Sequence, residues 1–169
     1  MTHGSLADLP FGEARYQHVT LSHVVEHVHE PLKLLRQCLA LLVPGGRLWL
    51  ETPNLRSFGH EVFGSAWRGL EPPRHLVLFD RHTMTAALAG AGFSGIEFRE
   101  HPGVSLFIWE QSRMIARASG AGARGIWRKL LASVPGVLVA ELYSARRPDR
   151  SEFLTCIAFK PGGKGGAAA

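Results

Sequence analysis

Apolar and polar positions recur regularly enough to divide the chain into elements. Tyr16-Gln17-His18-Val19-Thr20-Leu21-Ser22 carries β-branched and aromatic residues without a breaker, which predicts a strand. Pro31, preceded by Glu30, suits the first position of a helix. Leu32, Leu35, Leu39 and Leu42 then fall on one helical face, with Lys33 and Arg36 off it, and Pro44-Gly45-Gly46 ends the helix. Residues 47–52 return to a strand. Strand, helix, Pro-Gly-Gly turn and strand make one βαβ unit, which implies parallel strands joined by a right-handed crossover.

Residues 53–80 form a long connection with Gly59, Gly64, Gly69 and the Pro72-Pro73 pair. A stretch so long with little regular structure is functional or disordered, and Phe58, Phe63, Trp67 and Phe79 argue against disorder. Beyond it, the pattern predicts a helix over 81–91 closed by Gly92 and a strand over 93–100. Two helices follow over 104–118 and 125–145, the second interrupted at Pro135-Gly136, and then a last strand over 152–160. The Gly/Ala-rich end, 162–169, reads as a disordered tail. No internal repeat is visible.

Composition narrows the class. The chain has 169 residues, 46% of them hydrophobic and 20% charged, which is ordinary for one globular domain. Cys38 and Cys156 are far apart and lack metal-site spacing, so a reducing compartment is expected. With no signal-peptide pattern and no apolar run of spanning length, the expected location is the cytoplasm. The net charge of +5 is uneven: Arg113, Arg117, Arg124, Arg128, Lys129, Arg146, Arg147 and Arg150 crowd one third of the chain. Such a region can attract phosphate, anionic lipid or nucleic acid, but solvated helix faces explain it as well, so neither a nucleic-acid nor a membrane partner is expected.

Ligands of an open parallel sheet sit beyond the carboxyl ends of its strands. His23–Glu30 lies at one such end and residues 51–54 at another, so both converge on one crevice. Chemistry in such a crevice needs its reactants held close together and a base wherever a proton must be removed. His23, Glu26, His27 and His75 are the candidate bases, although His27 could equally be a helix-cap residue.

Four segments resemble one family. His23-Val24-Val25-Glu26-His27-Val28-His29-Glu30-Pro31 is similar to the H-x-x-E-H-x-x-D/E-P turn after the fourth strand of small-molecule class I S-adenosylmethionine (SAM)-dependent methyltransferases. Leu42-Val43-Pro44-Gly45-Gly46-Arg47-Leu48 resembles their L-x-P-G-G-x-L entry to the fifth strand. Glu51-Thr52-Pro53-Asn54 with residues 67–79 resembles the segment over the active site in one branch, and Ala89-Gly90-Ala91-Gly92-Phe93 resembles the lead into the sixth strand. Each alone is weak; four in order at the right spacing are specific. The likeness runs over about 4–100, with 152–161 as the final strand.

The resemblance implies an α/β fold. It is a partial Rossmann-like methyltransferase sheet, mostly parallel with its last strand antiparallel. The first three strands are lacking, and a helical insertion at about 104–147 precedes the last strand. Residues 1–161 would be the C-terminal part of such a domain. The implied activity is SAM-dependent methyl transfer to a small-molecule acceptor, at oxygen or another nucleophilic atom. His23, Glu26, His27 and His75 are then the catalytic candidates. Ser5, Leu6, Asp8, Ser22 and His23 would contact the cofactor, and Asn54, Trp67, Glu71, Arg74 and His75 the acceptor.

Departures from the family pattern weigh on the cofactor side. The strand and G-x-G-x-G loop that cradle SAM lie upstream of the matched region in the family. Ser5 stands where an acid is usual, and Tyr16-Gln17 replaces the common Phe-Asp. SAM binding by this chain alone is therefore expected to be weak or absent. The alternative is a non-catalytic or split-subunit protein, completed by a partner chain or an N-terminal segment. The bare edge of the first strand predicts a homo-oligomer or a complementing segment.

Three other pattern matches fail their context. Gly120-Ala121-Gly122-Ala123-Arg124-Gly125 fits G-x-G-x-x-G, but a helix rather than a strand precedes it, so a helix–helix connection is the better reading. His23-x-x-Glu26-His27 fits the inverted zinc-protease pattern, yet it straddles a strand end instead of lying on a helix. Relatives resembling quinone-biosynthesis and RNA-end methyltransferases carry E-x-x-E-H here as divalent-cation ligands. With His23 in place of the first Glu, no metal is expected.

Overall fold

The computed structural model describes residues 14–99, 106–119 and 134–162. Four strands, β1 (Tyr16–Ser22), β2 (Leu42–Pro53), β3 (Ser94–Arg99) and β4 (Phe153–Phe159), form one sheet in the order β1-β2-β4-β3. β1 and β2 are parallel, and β4 runs antiparallel to both β2 and β3. This is the expected α/β arrangement with an antiparallel last strand. It makes β2 an interior strand and leaves one side of β1 without a strand partner among the described residues.

The helices are α1 (Pro31–Leu41), α2 (Phe58–Phe63), α3 (Arg81–Ala91), α4 (Leu106–Ala118) and α5 (Val134–Arg146). Leu34, Leu35 and Cys38 of α1 and Met84 and Leu88 of α3 bury against Leu48 and Leu50 of β2 and Leu154, Cys156 and Ala158 of β4. Each large side chain so buried contributes roughly 1.5–3 kcal/mol relative to exposure. α3 starts at a capping box: Asp80 accepts from the Thr83 amide at 2.8 Å, while Thr83 Oγ1 accepts from the Asp80 amide at 2.9 Å. It ends at Gly92, whose φ of 102° is open to glycine at little steric cost. A second cluster joins α2, Trp67, Trp109 of α4, and Val137 and Ala140 of α5.

The structure corrects three local expectations. In α1 the buried face is Leu34, Leu35, Cys38 and Leu41, whereas Leu32 is exposed and Leu42 already belongs to β2. β2 begins at Leu42 rather than after the Pro-Gly-Gly turn. Between Tyr16↔Leu42 and His18↔Arg47 it advances five residues against two on β1, so Pro44-Gly45-Gly46 bulges out of the pairing. The bulge is held by β4's end, with Gly45 N donating to Lys160 O and Lys160 N to Gly46 O. The connection over 53–80 is not irregular, since it carries α2 and 3-10 turns at Gly64–Ala66 and Arg68–Leu70. Pro135 and Gly136 lie in the first turn of α5, a position where proline is tolerated. The expectations for 1–13, 100–105, 120–133 and 163–169 fall outside the described residues.

Candidate functional site

The site grows from the carboxyl ends of the two parallel strands. β1 stops at Ser22, and His23 takes a left-handed backbone (φ 51°) that few non-glycine residues adopt. The chain then turns through a 3-10 turn, Val25–His27, that carries Val25 and Glu26 into the interior. Glu26 is fully buried. Its Oε1 faces His23 Nδ1 at 3.2 Å, and its Oε2 accepts from Thr52 Oγ1 of β2 at 3.0 Å. Glu51, also on β2, brings Oε1 to 3.6 Å from His23 Nε2.

The segment after α2 supplies the opposite wall. Leu76 and Val77 amides donate to the Glu26 carbonyl, and Leu55 N to Phe79 O, so the stretch is laced to the turn and to the end of β2. Trp67 anchors it: the ring is buried and Nε1 donates to Glu152 Oε2 at 2.8 Å. Glu71 is left-handed (φ 34°) and receives Arg68 on one oxygen and Arg74 on the other, each at 2.6 Å. His75 lies 3.5 Å from Glu71, and its ring centroid is 4.7 Å from that of His27. Between the walls is a cavity of about 310 Å³ lined by His23, His27, Glu71, His75, Phe107 and Phe153, among others.

Electrostatics follow from this packing. The hydrogen bond to Glu26 raises the His23 pKa above its usual 6.5; burial opposes that, and the charges of Glu26 and Glu51 reinforce it. Burial pushes the Glu26 carboxyl up. Hydrogen bonds from His23, its own backbone and Thr52 outweigh that and leave it below its usual 4.5. Glu71 is lowered first by the Arg68 hydrogen bond, against a smaller burial effect. The turn thus holds an ionised carboxylate under a histidine that accepts a proton readily.

Of the sequence candidates, His23, His27, Glu71, Arg74 and His75 line the cavity, with Glu26 directly beneath. Ser22 is exposed at the end of β1. Ser5, Leu6 and Asp8 lie outside the described residues. Trp67 and Asn54 line no part of this cavity. Trp67 is an anchor, and Asn54 spends its side chain on the Asp149 and Ser151 carbonyls and the Arg56 amide. Glu51 and Thr52 were placed at the crevice without a role, and Arg68, Phe107, Ile108 and Phe153 were not singled out. For Glu51 and Thr52 a signal existed, because both stand at the carboxyl end of a predicted strand. Phe107 and Phe153 come from distant elements and carried none.

Glu26, His27 and His75 could hold a metal ion, since one ligand atom of each lies within 4.8 Å of the others. Nδ1 of His27 faces the Arg74 carbonyl at 3.0 Å and Nδ1 of His75 faces the Gly69 carbonyl at 2.7 Å. A carbonyl only accepts, so each neutral ring keeps its proton on Nδ1 and presents Nε2 as a ligand. The atoms of a closed tetrahedral zinc site would be roughly 3.4 Å apart, given bonds near 2.0–2.2 Å. The trio would have to draw together to reach that.

Comparison with known proteins agrees with the fold. The family described as "Methyltransferase domain" matches residues 3–97, more than half of the chain. A protein of Mycolicibacterium smegmatis described as a probable S-adenosylmethionine-dependent methyltransferase is 36% identical over 56 residues, 33% of this chain and 22% of that protein. Among solved structures, the [4+2]-cyclase SpnF superposes with a TM-score of 0.55 at 19% identity, covering 96% of this chain and 56% of its own. A SAM-dependent methyltransferase from Archaeoglobus fulgidus gives 0.53 at 17% identity, covering 92% and 63%. The chain therefore spans less than two thirds of the proteins it resembles, and at these identities the structural likeness speaks for the fold alone. No helix among the described residues is long and apolar enough to cross a membrane. With its mixed Rossmann-like sheet and the matched residues 3–97, the chain belongs to the class I SAM-dependent methyltransferase family.

Proposed function

We propose that this chain supplies the acceptor side of a methyltransferase that moves the methyl group of SAM to an oxygen of a small-molecule acceptor. The observation that carries this is the His23–Glu26–Glu51 cluster opening into the cavity at the carboxyl ends of β1 and β2. SAM supplies an electrophilic methyl on a sulfonium, needing little more than placement and a proton acceptor. The Glu26 hydrogen bond keeps the proton of neutral His23 on Nδ1, so Nε2 takes the acceptor's hydroxyl proton. Bound SAM would supply the methyl group to the oxygen so readied. Glu26 and Glu51 stabilise the imidazolium. Glu71, Arg74 and His75 bind the acceptor, while Trp67 and Asn54 hold the wall that carries them.

For the cofactor, the exposed Ser22 and half-exposed His23 leave the end of β1 open to a nucleoside-sized group. Ser5, Leu6 and Asp8 would contribute the rest, and binding to this chain alone is weak. The second reading, a non-catalytic or split-subunit protein that needs a partner chain, is favoured by one observation: the unpaired outer edge of β1 among the described residues. Residues 1–161 act as one domain in either reading. The reaction runs without a metal, since Glu26 already engages His23 and Thr52. A cytoplasmic location fits two free, buried cysteines.

Calorimetric titration with SAM and its demethylated product tests the reading, paired with a methyl-transfer assay in EDTA. Weak SAM binding, activity that falls as pH drops through the raised His23 pKa, and loss of turnover in His23→Ala are expected. Turnover unchanged in His23→Ala removes the base assignment. An absence of SAM binding even with candidate partner chains leaves the non-catalytic reading.

A further inference from the structure

The cavity lining is of two kinds. Arg68, Glu71 and Arg74 make a polar wall, and Phe107, Ile108 and Phe153 supply apolar lining. On the polar wall two guanidinium groups share a single carboxylate, each through one Nη1 at 2.6 Å. One positive charge is left over, and each planar fork has five N–H donors of which Glu71 uses few. Glu71 is held ionised, chiefly by Arg68, so it does not cancel both cations. Two other carboxylates lie near the cavity: Glu26 is sealed from solvent and engaged by His23 and Thr52, and Glu51 faces His23 with one oxygen and accepts from Thr155 Oγ1 with the other.

Stability gives a poor account of this wall. The Arg74 side chain is 69% exposed, and exposed ion pairs contribute little. Glu71 nevertheless sits in a left-handed backbone that is unfavourable for any residue with a Cβ, and the amides of Arg74 and His75 both bond to its carbonyl. The fold thus keeps a strained backbone at Glu71 beside two arginines in a cavity whose lining is otherwise partly aromatic and aliphatic. Fixed arginine forks match the two oxygens of a carboxylate or phosphate. Apolar walls with a few placed polar groups are the usual make-up of small-molecule sites.

Taking this cleft as the acceptor site, we propose that the acceptor is an amphiphile. Its anionic head, a carboxylate or a phosphate, lies on Arg68 and Arg74, and its apolar body lies against Phe107, Ile108 and Phe153. Neutral polyols and cationic amines lack the charge that this wall complements.

The test needs neither SAM nor turnover. The full chain is titrated by calorimetry with benzoate, phenyl phosphate and the neutral isostere benzamide. We expect one or both anions to bind at least tenfold more tightly than benzamide, and the stronger of the two identifies the head group. Arg74→Ala should erase the preference and Arg74→Lys should retain part of it, and circular dichroism confirms the fold of both. Equal binding of anion and amide, no binding of either anion, or a preference that survives Arg68→Ala/Arg74→Ala overturns the proposal. If the preference stands and SAM binding fails, the methyl-transfer reading falls and the anion site remains. The reverse result removes the anion site alone.

Discussion

Glu152 shows how one side chain can set the pH response of the molecule without touching the cleft. It is almost wholly buried between the Gly59 amide, which donates to Oε1, and Trp67 Nε1, which donates to Oε2. A Cβ at Gly59 would overlap that carboxylate, so glycine is required by close approach. Burial raises the carboxyl pKa from 4.5 to about 7, with the two hydrogen bonds opposing. The sign follows from proton counting. Between pH 4.5 and 7 the folded chain holds a proton that the unfolded chain has released, so stability falls as pH rises through this window. The full effect is about 3 kcal/mol. In urea unfolding, wild type should lose roughly 2–3 kcal/mol relative to Glu152→Gln between pH 5 and pH 8. Parallel pH profiles for the two proteins would exclude a raised pKa at this position. None of this could be read from the sequence, where Glu152 looks like an ordinary polar residue before a strand. Its burial is decided by Trp67, 85 residues away.

Elements were more legible than contacts, and the reason lies in the range of the forces. The bounds of β1 and α3 follow from local patterns: an unbroken β-branched run for one, and a stop at Gly92 for the other. The face of α1 was misread because Leu32 and Leu42 continue the leucine spacing, although tertiary packing uses Leu34, Leu35, Cys38 and Leu41. The 53–80 connection was misread because its turns are short and hold together mainly by burying Phe58, Val62, Phe63 and Trp67 on α4 and α5, which no local rule registers. The start of α3 can be tested directly. Asp80→Ala removes the oxygen that accepts from the Thr83 amide and should cost about 1 kcal/mol in chemical denaturation. The Thr83 backbone hydrogen bond also holds the Asp80 pKa below 3.8, against burial. The wild-type advantage should therefore be present above the unfolded pKa and vanish as acid protonates Asp80. A cost that persists undiminished in acid would mean that the carboxylate is not the cap.

At the scale of the molecule, the open question is what lies beside β1. Tyr16, Gln17, His18, Thr20 and Ser22 are exposed, and only Leu21 is buried. The strand gives one edge to β2 and has none beyond it among the described residues. An exposed row of amides and carbonyls is a template for another strand, and proteins protect such edges with charge, proline, bulges or a covering segment. The bulge at Tyr16/His18 disturbs only the first pairs, and from His18 to Ser22 the register with β2 is regular. The free edge is thus straightest next to the candidate site, where a partner strand would also bring residues towards His23. Light scattering on a concentration series should show self-association, with β1 amides gaining hydrogen-exchange protection as the oligomer forms. Thr20→Lys places a charge on that edge and should weaken association at least tenfold, with little effect on monomer stability because Thr20 is exposed. If the chain stays monomeric at every concentration with its β1 amides already protected, the edge is covered from within and no partner strand is required. If association persists unchanged in Thr20→Lys, the contact lies elsewhere. The exposed side chains of Leu138 and Leu142 on α5 would then be the surface to mutate next.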